Sequence, residues 1–498
     1  MPPKNNIVRE AQLNGLTHQT RRLFLRDCAL GLGSLALGGL TGSCQTRQSA
    51  GKQLFIDPKN PLAARPPHFA PKAKSVIYIH LAGAPSQLEL FDYKPTLAGL
   101  DGQACPPSLL EGKRFAFIRG VPNLLGPKAK FRQRGESGAW VSDHLPHFAE
   151  LADEVSFLKA VYTDQFNHAP AQLMMHTGSP RLGRPSMGSW VTYGLGSENS
   201  DLPGFVVLNS GGNNPDAGKT VWGSGFLPSV YQGVQCRSKG DPVLYLGDPK
   251  GISREQRKAS IDAINQVNEL AHQEFKDPET LSRIAQYEMA FRMQASVPGV
   301  MSIDDEPDYI HQMYGTRPGE TALSNNLLLA RKLVEKGVRF VQLYDWGWDS
   351  HGTSKYDDLE TNFVNKCREM DKPVAALLLD LKQRGLLEET LVVWGGEFGR
   401  TPMQENRNGN AAMFAGRDHN PDAFTIWMAG GGIKKGVSYG ETDEIGYAGV
   451  DGRVSIYDVQ ATILNQMGMD HEELTYGFQG REFRLTDVHG SVINPIIA

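Results

Sequence analysis

Asp349 and His351 close the stretch Asp345-Trp346-Gly347-Trp348-Asp349-Ser350-His351. Two residues apart in an extended tip, their side chains point to one side. A carboxylate and a neutral imidazole facing the same way make half of a metal site. Asp and Ser before Gly are also ordinary turn residues, so the pair alone decides little. Two further blocks add weight. Glu397 lies in Gly395-Gly396-Glu397-Phe398-Gly399-Arg400, and His419 in Gly416-Arg417-Asp418-His419. Alone, Glu397 reads as a loop carboxylate paired with Arg400, and His419 as a surface or capping histidine. Together the two carboxylates and two imidazoles suit one divalent ion (zinc, calcium or manganese) with oxygen and nitrogen ligands.

The elements that must position these blocks are strands. Residues 340–344, 391–394 and 424–428 are short apolar runs of the kind buried strands show. Similar runs fill 75–81, 155–161 and 205–208. Helical patterns span 325–336, 361–384 and 458–467, and 253–294 reads as helix broken at Pro278. Residues 211–246 are Gly-rich and read as irregular. Strands alternating with helices argue for an α/β fold with a mainly parallel sheet and helices on both faces. The carboxyl ends of parallel strands share one edge. Asp349, His351, Glu397 and His419 are therefore expected to converge on one pocket, with His168, past the second strand, facing it.

This order of strand ends resembles the alkaline-phosphatase superfamily, which includes sulfatases, phosphodiesterases and phosphonate hydrolases. The terminal helix containing Ala461-Thr462-Ile463-Leu464 completes the likeness. More narrowly, the chain resembles a sulfatase-like family, domain of unknown function 1501. The shared motifs are a turn at Ala84-Pro85-Ser86, then Phe91-Asp92 and Lys94-Pro95. Gly347-Trp348-Asp349-x-His351, Gly396-Glu397-Phe398-Gly399-Arg400-Thr401-Pro402 and Gly416-Arg417-Asp418-His419 follow. The resemblance implies an alkaline-phosphatase-like three-layer α/β/α sandwich over residues 75–498. It also implies a metal-assisted hydrolase of sulfate or phosphate esters, on a small molecule or a polysaccharide. The alternative is a non-catalytic sulfatase-like binding protein for an anionic polysaccharide or other envelope ligand.

Sulfatases carry a nucleophile ahead of Thr-Gly, as Cys-x-Pro-Ser-Arg. Here Asn167-His168-Ala169-Pro170-Ala171-Gln172 precedes Thr177-Gly178, so His168 stands in the nucleophile's place with Asn167 beside it. An imidazole there can act as nucleophile, general base or metal ligand. A helix-start histidine bonded to backbone is the plain reading. Two departures stand out. The first strand ends in Ala82-Gly83-Ala84 where the superfamily has a metal-binding carboxylate, which leaves Glu89 and Asp92 as substitutes. Glu397-Phe398 replaces the usual Asp-His, so a conventional two-zinc site is not expected. Arg400, Arg417 and Asp418 are further metal- or substrate-binding candidates.

The chain has 498 residues, 40% hydrophobic and 21% charged, with a net charge of −4 and no basic block, which excludes nucleic acid as the expected partner. Residues 1–50 resemble a twin-arginine signal peptide around Arg21-Arg22. The apolar stretch 28–40 is too short to span a bilayer. The twin-arginine translocase is thus an expected partner, and the periplasm or cell envelope the expected destination. Leu40-Thr41-Gly42-Ser43-Cys44 weakly resembles a lipoprotein box, but Thr41 stands where Leu is preferred, so lipidation of Cys44 is the lesser reading. Residues 51–74 read as a linker. Cys105, Cys236 and Cys367 are too scattered for a disulfide framework. Changing Arg21→Lys and Arg22→Lys together is expected to hold the precursor in the cytoplasm. Cell fractionation checks this, and undiminished export would refute it.

Overall fold

The strand Ser75–Ala82 (β1) is buried at all eight positions. Its side chains alternate between two cores. Val76 and Tyr78 enter one, and Ile77, Ile79 and Leu81 the other. Burial on both faces is why the run reads as continuously apolar. These observations come from a computed structural model describing residues 56–57, 60–243, 251–407 and 410–498. Residues 1–50, expected to be a signal peptide and including Cys44, and residues 51–55, 58 and 59 of the expected linker fall outside the described residues.

The further strands of the main sheet are Val155–Tyr162 (β2), Phe205–Ser210 (β3), Val234–Cys236 (β4), Phe340–Trp346 (β5), Thr390–Gly395 (β6), Phe424–Ala429 (β7), Val437–Tyr439 (β8) and Val454–Ser455 (β9). They run in the order β8-β2-β7-β6-β1-β5-β3-β4, with β9 also paired to β2. All pairings are parallel except those of β7, which is antiparallel to both β2 and β6. The reversal decides where His419 lies. A loop before a parallel strand would sit at the wrong edge. A loop before the reversed β7 arrives where β1, β2, β5 and β6 end.

Helices cover both faces. His168–Thr177 (α1) and Met187–Leu195 (α2) pack with Val76 and Tyr78. Arg254–Phe275 (α3) and Pro278–Met301 (α4) form a helical pair. Asp277 caps α4 and Pro278 occupies its first turn, where proline is tolerated, so the expected break becomes a junction. Leu323–Glu335 (α5) and Asn362–Gln383 (α6) pack against Ile77 and Ile79. Ile456–Gln466 (α7) closes the first face. The three-layer α/β/α arrangement expected from the alternation is the one observed.

One expectation needs correction. Residues 211–246, read as irregular, contain β4 at the sheet edge. Three residues are too few to leave a periodic signal. Cys105, Cys236 and Cys367 are buried free thiols. No helix among the described residues is long and apolar enough to cross a membrane.

Candidate metal centre

Past the ends of β1 and β5 the two backbones run against each other, with Trp348 N donating to the Ala82 carbonyl at 3.3 Å. Gly83 permits this. Its φ is +108°, and a Cβ there would lie 2.5 Å from the Asp349 amide nitrogen. Gly416 does the same for the neighbouring loop, where a Cβ would meet the His351 carbonyl carbon at 2.0 Å. Backbones this close need residues without a side chain.

Four side chains meet at the resulting edge. His168, Asp349, His351 and His419 offer ligand atoms that all lie within 4.8 Å of one another. Asp349 Oδ1 is 2.9 Å from His351 Nε2 and 3.5 Å from His419 Nε2, and Oδ2 is 3.3 Å from His168 Nε2. Ligand atoms around a tetrahedral zinc at about 2.0–2.2 Å would sit about 3.4 Å apart. The observed spacings are close to that.

The outer nitrogens fix the tautomers. His168 Nδ1 lies 2.7 Å from Glu397 Oε1, and His419 Nδ1 2.7 Å from the Phe166 carbonyl. His351 Nδ1 meets Glu405 Oε2. Carboxylates and carbonyls accept, so each Nδ1 carries the hydrogen and donates. Once neutral, as coordination requires, each ring would turn a bare Nε2 toward the group, as metal-bound histidines with an outer carboxylate or carbonyl do. The buried Nε2 atoms of His168 and His419 have no hydrogen-bond partner. Buried polar atoms normally have one, so these two fit an ion.

Burial disfavours charge on His168, but Asp349 and Glu397 outweigh it and push its pKa up to about 9. Burial brings His419 down to about 4 against the pull of Asp349, with Arg400 and His168 adding to the fall. Burial would raise the Asp349 carboxyl, yet Arg400 and the three imidazoles hold it well below the usual range.

The other residues expected here divide clearly. Glu397, expected among the ligands, stands behind His168 instead. Fully buried, it also accepts from Gly83 N at 3.0 Å and Gln172 Nε2 at 3.1 Å, and His80 Nε2 is 3.3 Å away. Burial would raise its carboxyl, but His168 and His80 keep it well below the ordinary value. Arg400 pairs with Asp349, not with Glu397. His168 lies within the group and does not face it from outside. Asn167 is exposed at the start of α1 and its side chain makes no capping hydrogen bond. Glu89 and Asp92 do not replace the carboxylate missing from β1. Glu89 is locked on Arg417 at 2.7 Å, both fully buried, and Asp92 accepts from Thr442 Oγ1. Arg417 is thereby spent on Glu89 and on backbone carbonyls. Asp418 accepts from the backbone of Phe117, Ile118 and His419 and so shapes the loop. Glu405, Gln172 and the Phe166 carbonyl escaped the sequence reading. They stand in irregular segments or on a helix face that no spacing rule ties to the motifs.

A family described as a protein of unknown function, DUF1501, matches residues 73–497. The chain belongs to this family. No curated protein matches the sequence. Among solved structures, a sulfatase from Pseudoalteromonas sp. is similar at 11% identity, covering 82% of this chain and 69% of that one, with a TM-score of 0.35. A phosphonate monoester hydrolase from Silicibacter pomeroyi gives 12%, 84%, 76% and 0.35. The alkaline phosphatase from the Antarctic bacterium TAB5 gives 9%, 80%, 98% and 0.32. Likenesses this distant leave the chemistry of the DUF1501 chain to be argued from its own side chains.

Replacing Glu397→Gln in the DUF1501 chain removes the anion that orients His168. Zinc affinity is expected to fall about 10- to 100-fold, as for other outer-partner losses, measured by competition with a chelating dye. An unchanged affinity would remove Glu397 from the centre.

Coordination also requires loss of the proton that His168 keeps up to about pH 9 in the ion-free chain. Zinc loading near neutral pH is therefore expected to release a proton, and affinity to climb about tenfold per pH unit up to that pKa. Calorimetry in buffers of different ionisation enthalpy reads this. Loading without proton release would contradict the assigned protonation.

Proposed function

We propose that this DUF1501 chain is exported, holds one divalent ion, zinc by ligand type, at His168, Asp349, His351 and His419, and is a metal-assisted hydrolase of sulfate or phosphate esters. The observation that carries the reading is the pair of buried, unpartnered Nε2 atoms on His168 and His419, beside a carboxylate and with each Nδ1 already held. Three imidazoles and one carboxylate are a zinc-type donor set, whereas calcium takes oxygen donors. A divalent ion supplies polarisation of an ester oxygen and a water of lowered pKa.

The chain's own residues supply the rest. The Asp349 side chain is 37% exposed, while those of His351 and His419 are nearly buried. An ester therefore reaches the group from the Asp349 side. Asp349, held ionised by Arg400, keeps its negative charge on the ligand side facing that approach. A cleft of about 540 Å³ opens at Asp349 and is lined in part by Trp346, Asn362, Arg317 and Lys366. It gives room for the alcohol part of the ester. Arg317 and Lys366 stand on its wall among the carboxylates of Asp345, Asp357 and Glu369, and Lys366 is paired with Asp345 at 2.6 Å.

One observation favours the second reading. Four protein groups gather here, enough to fill all four positions of a zinc ion, which would be the closed pattern of structural zinc. A binding protein for an anionic polysaccharide or other envelope ligand would need no open position. Metal analysis of chain purified without chelator, followed by assays on nitrophenyl sulfate and nitrophenyl phosphate, separates the readings. One equivalent of zinc and a turnover lost in His351→Ala is the expected result. Zinc without turnover would select the binding protein, and absence of any bound metal would overturn the metal-assisted hydrolase.

A further inference from the structure

His80 stands in the largely apolar β1 and has no exposed surface. Its ring meets His176 of α1 edge-on, with centroids 4.6 Å apart, and Tyr344 of β5 in the same manner at 5.4 Å. Packing of that kind asks only for a flat ring, which a phenylalanine would supply without polar atoms. An imidazole brings two nitrogens that are costly to bury without partners. Nδ1 finds none among the described residues. Nε2 lies 3.3 Å from Glu397 Oε2, and neither of these two buried atoms hydrogen bonds to anything else.

The two oxygens of Glu397 are thereby divided. Oε1 takes His168 Nδ1 at 2.7 Å, Gly83 N at 3.0 Å and Gln172 Nε2 at 3.1 Å. Oε2 faces His80 alone. The terminal torsion of a glutamate is broad and soft. Contacts on one oxygen leave the carboxylate free to swing about it, whereas a contact on each oxygen fixes its plane. The plane decides whether a lone pair of Oε1 points at His168 Nδ1.

We propose that His80 is a positioning residue for the candidate centre: its Nε2–H, donated to Oε2, sets the Glu397 carboxylate that in turn orients His168. The role rests on the reading of His168 as a metal ligand. An ionised carboxylate accepts and does not donate, so the hydrogen is on Nε2. His80 does not belong to the ligand group and acts on the ion only through Glu397.

A double-mutant cycle reads that route. Zinc affinity is measured by competition with a chelating dye for wild type, His80→Phe, His80→Gln, Glu397→Gln and the chain carrying His80→Phe with Glu397→Gln. His80→Phe keeps the flat ring and loses the donor. It is expected to weaken zinc about three- to tenfold, less than the loss of Glu397 itself. His80→Gln keeps an N–H and is expected to recover part of that loss. On top of Glu397→Gln, His80→Phe is expected to cost nothing further. Unchanged affinity in His80→Phe, equal losses in the Phe and Gln variants, or losses that multiply in the double variant would each overturn the proposal.

Proton NMR of the ion-free chain with isotope-labelled histidine gives a readout that needs no zinc. The His80 imidazole N–H is expected far downfield of the backbone amides, slow to exchange with solvent, absent in His80→Phe and displaced in Glu397→Gln. That signal together with no bound zinc would overturn the metal reading, and with it the role assigned to His80, while leaving the contact in place. Zinc bound, with a His80 signal that Glu397→Gln leaves undisturbed, would overturn the proposal and leave the metal reading standing.

Discussion

One guanidinium, that of Arg400, holds the strand ends around the candidate centre. It is 1% exposed. Nε donates to the Ala84 carbonyl at 2.9 Å and Nη1 to the Arg417 carbonyl at 3.1 Å, while Nη2 meets the Gly83 carbonyl and Asp349. Its own backbone exchanges two hydrogen bonds with the Gln87 side chain. The segments after β1, β5 and β6 and the run into β7 are thus tied by one planar group. A buried charge is costly unless it is paired and its remaining donors are used. Asp349 supplies the counter-charge and three carbonyls take the other donors. Lysine offers a point charge and no fork, so it cannot replace this geometry.

The strands and helices that set this edge were legible because burial on two faces leaves a strong local pattern. The runs at 340–344 and 391–394 correspond to Phe340–Trp346 and Thr390–Gly395, within two residues at each end. The meeting of Asp349, His351 and His419 was legible from their positions beside strands. His419 differs from the other two. It precedes its strand, and it reaches the shared edge only because β7 runs backwards. Strand direction depends on pairing partners and leaves no mark in a six-residue apolar run.

The roles of the carboxylates were less legible. Glu397, Glu89 and Asp349 all follow a strand closely, and sequence position treats them alike. Burial separates them. Glu397 and Glu89 have no exposed surface and each is spent on a buried cation or imidazole, while Asp349 keeps an exposed face. Which carboxylate meets solvent is set by tertiary packing. The same holds for Glu405, whose link to His351 crosses 54 residues of chain.

The charges around the centre also bear on the kind of ligand it would take. Asp349, Glu397 and Glu405 are the carboxylates touching the three imidazoles. Arg400 answers Asp349, and Arg407 answers Glu405 at 2.6 Å. In the ion-free chain the proton on His168 supplies the remaining positive charge, placed between Asp349 and Glu397. Exchange of that proton for a divalent cation leaves these groups with one positive charge in excess. The exposed Asp216, near Glu397, is screened by water and offsets this weakly. The cleft beyond Asp349 carries Asp345, Asp357 and Glu369 against Arg317 and Lys366, so any attraction for an anion would have to come from the ion and not from the cleft wall. The preference for a sulfate or phosphate group would then come from the balance of buried charge around the ion, with the half-exposed Asp349 setting the direction of approach.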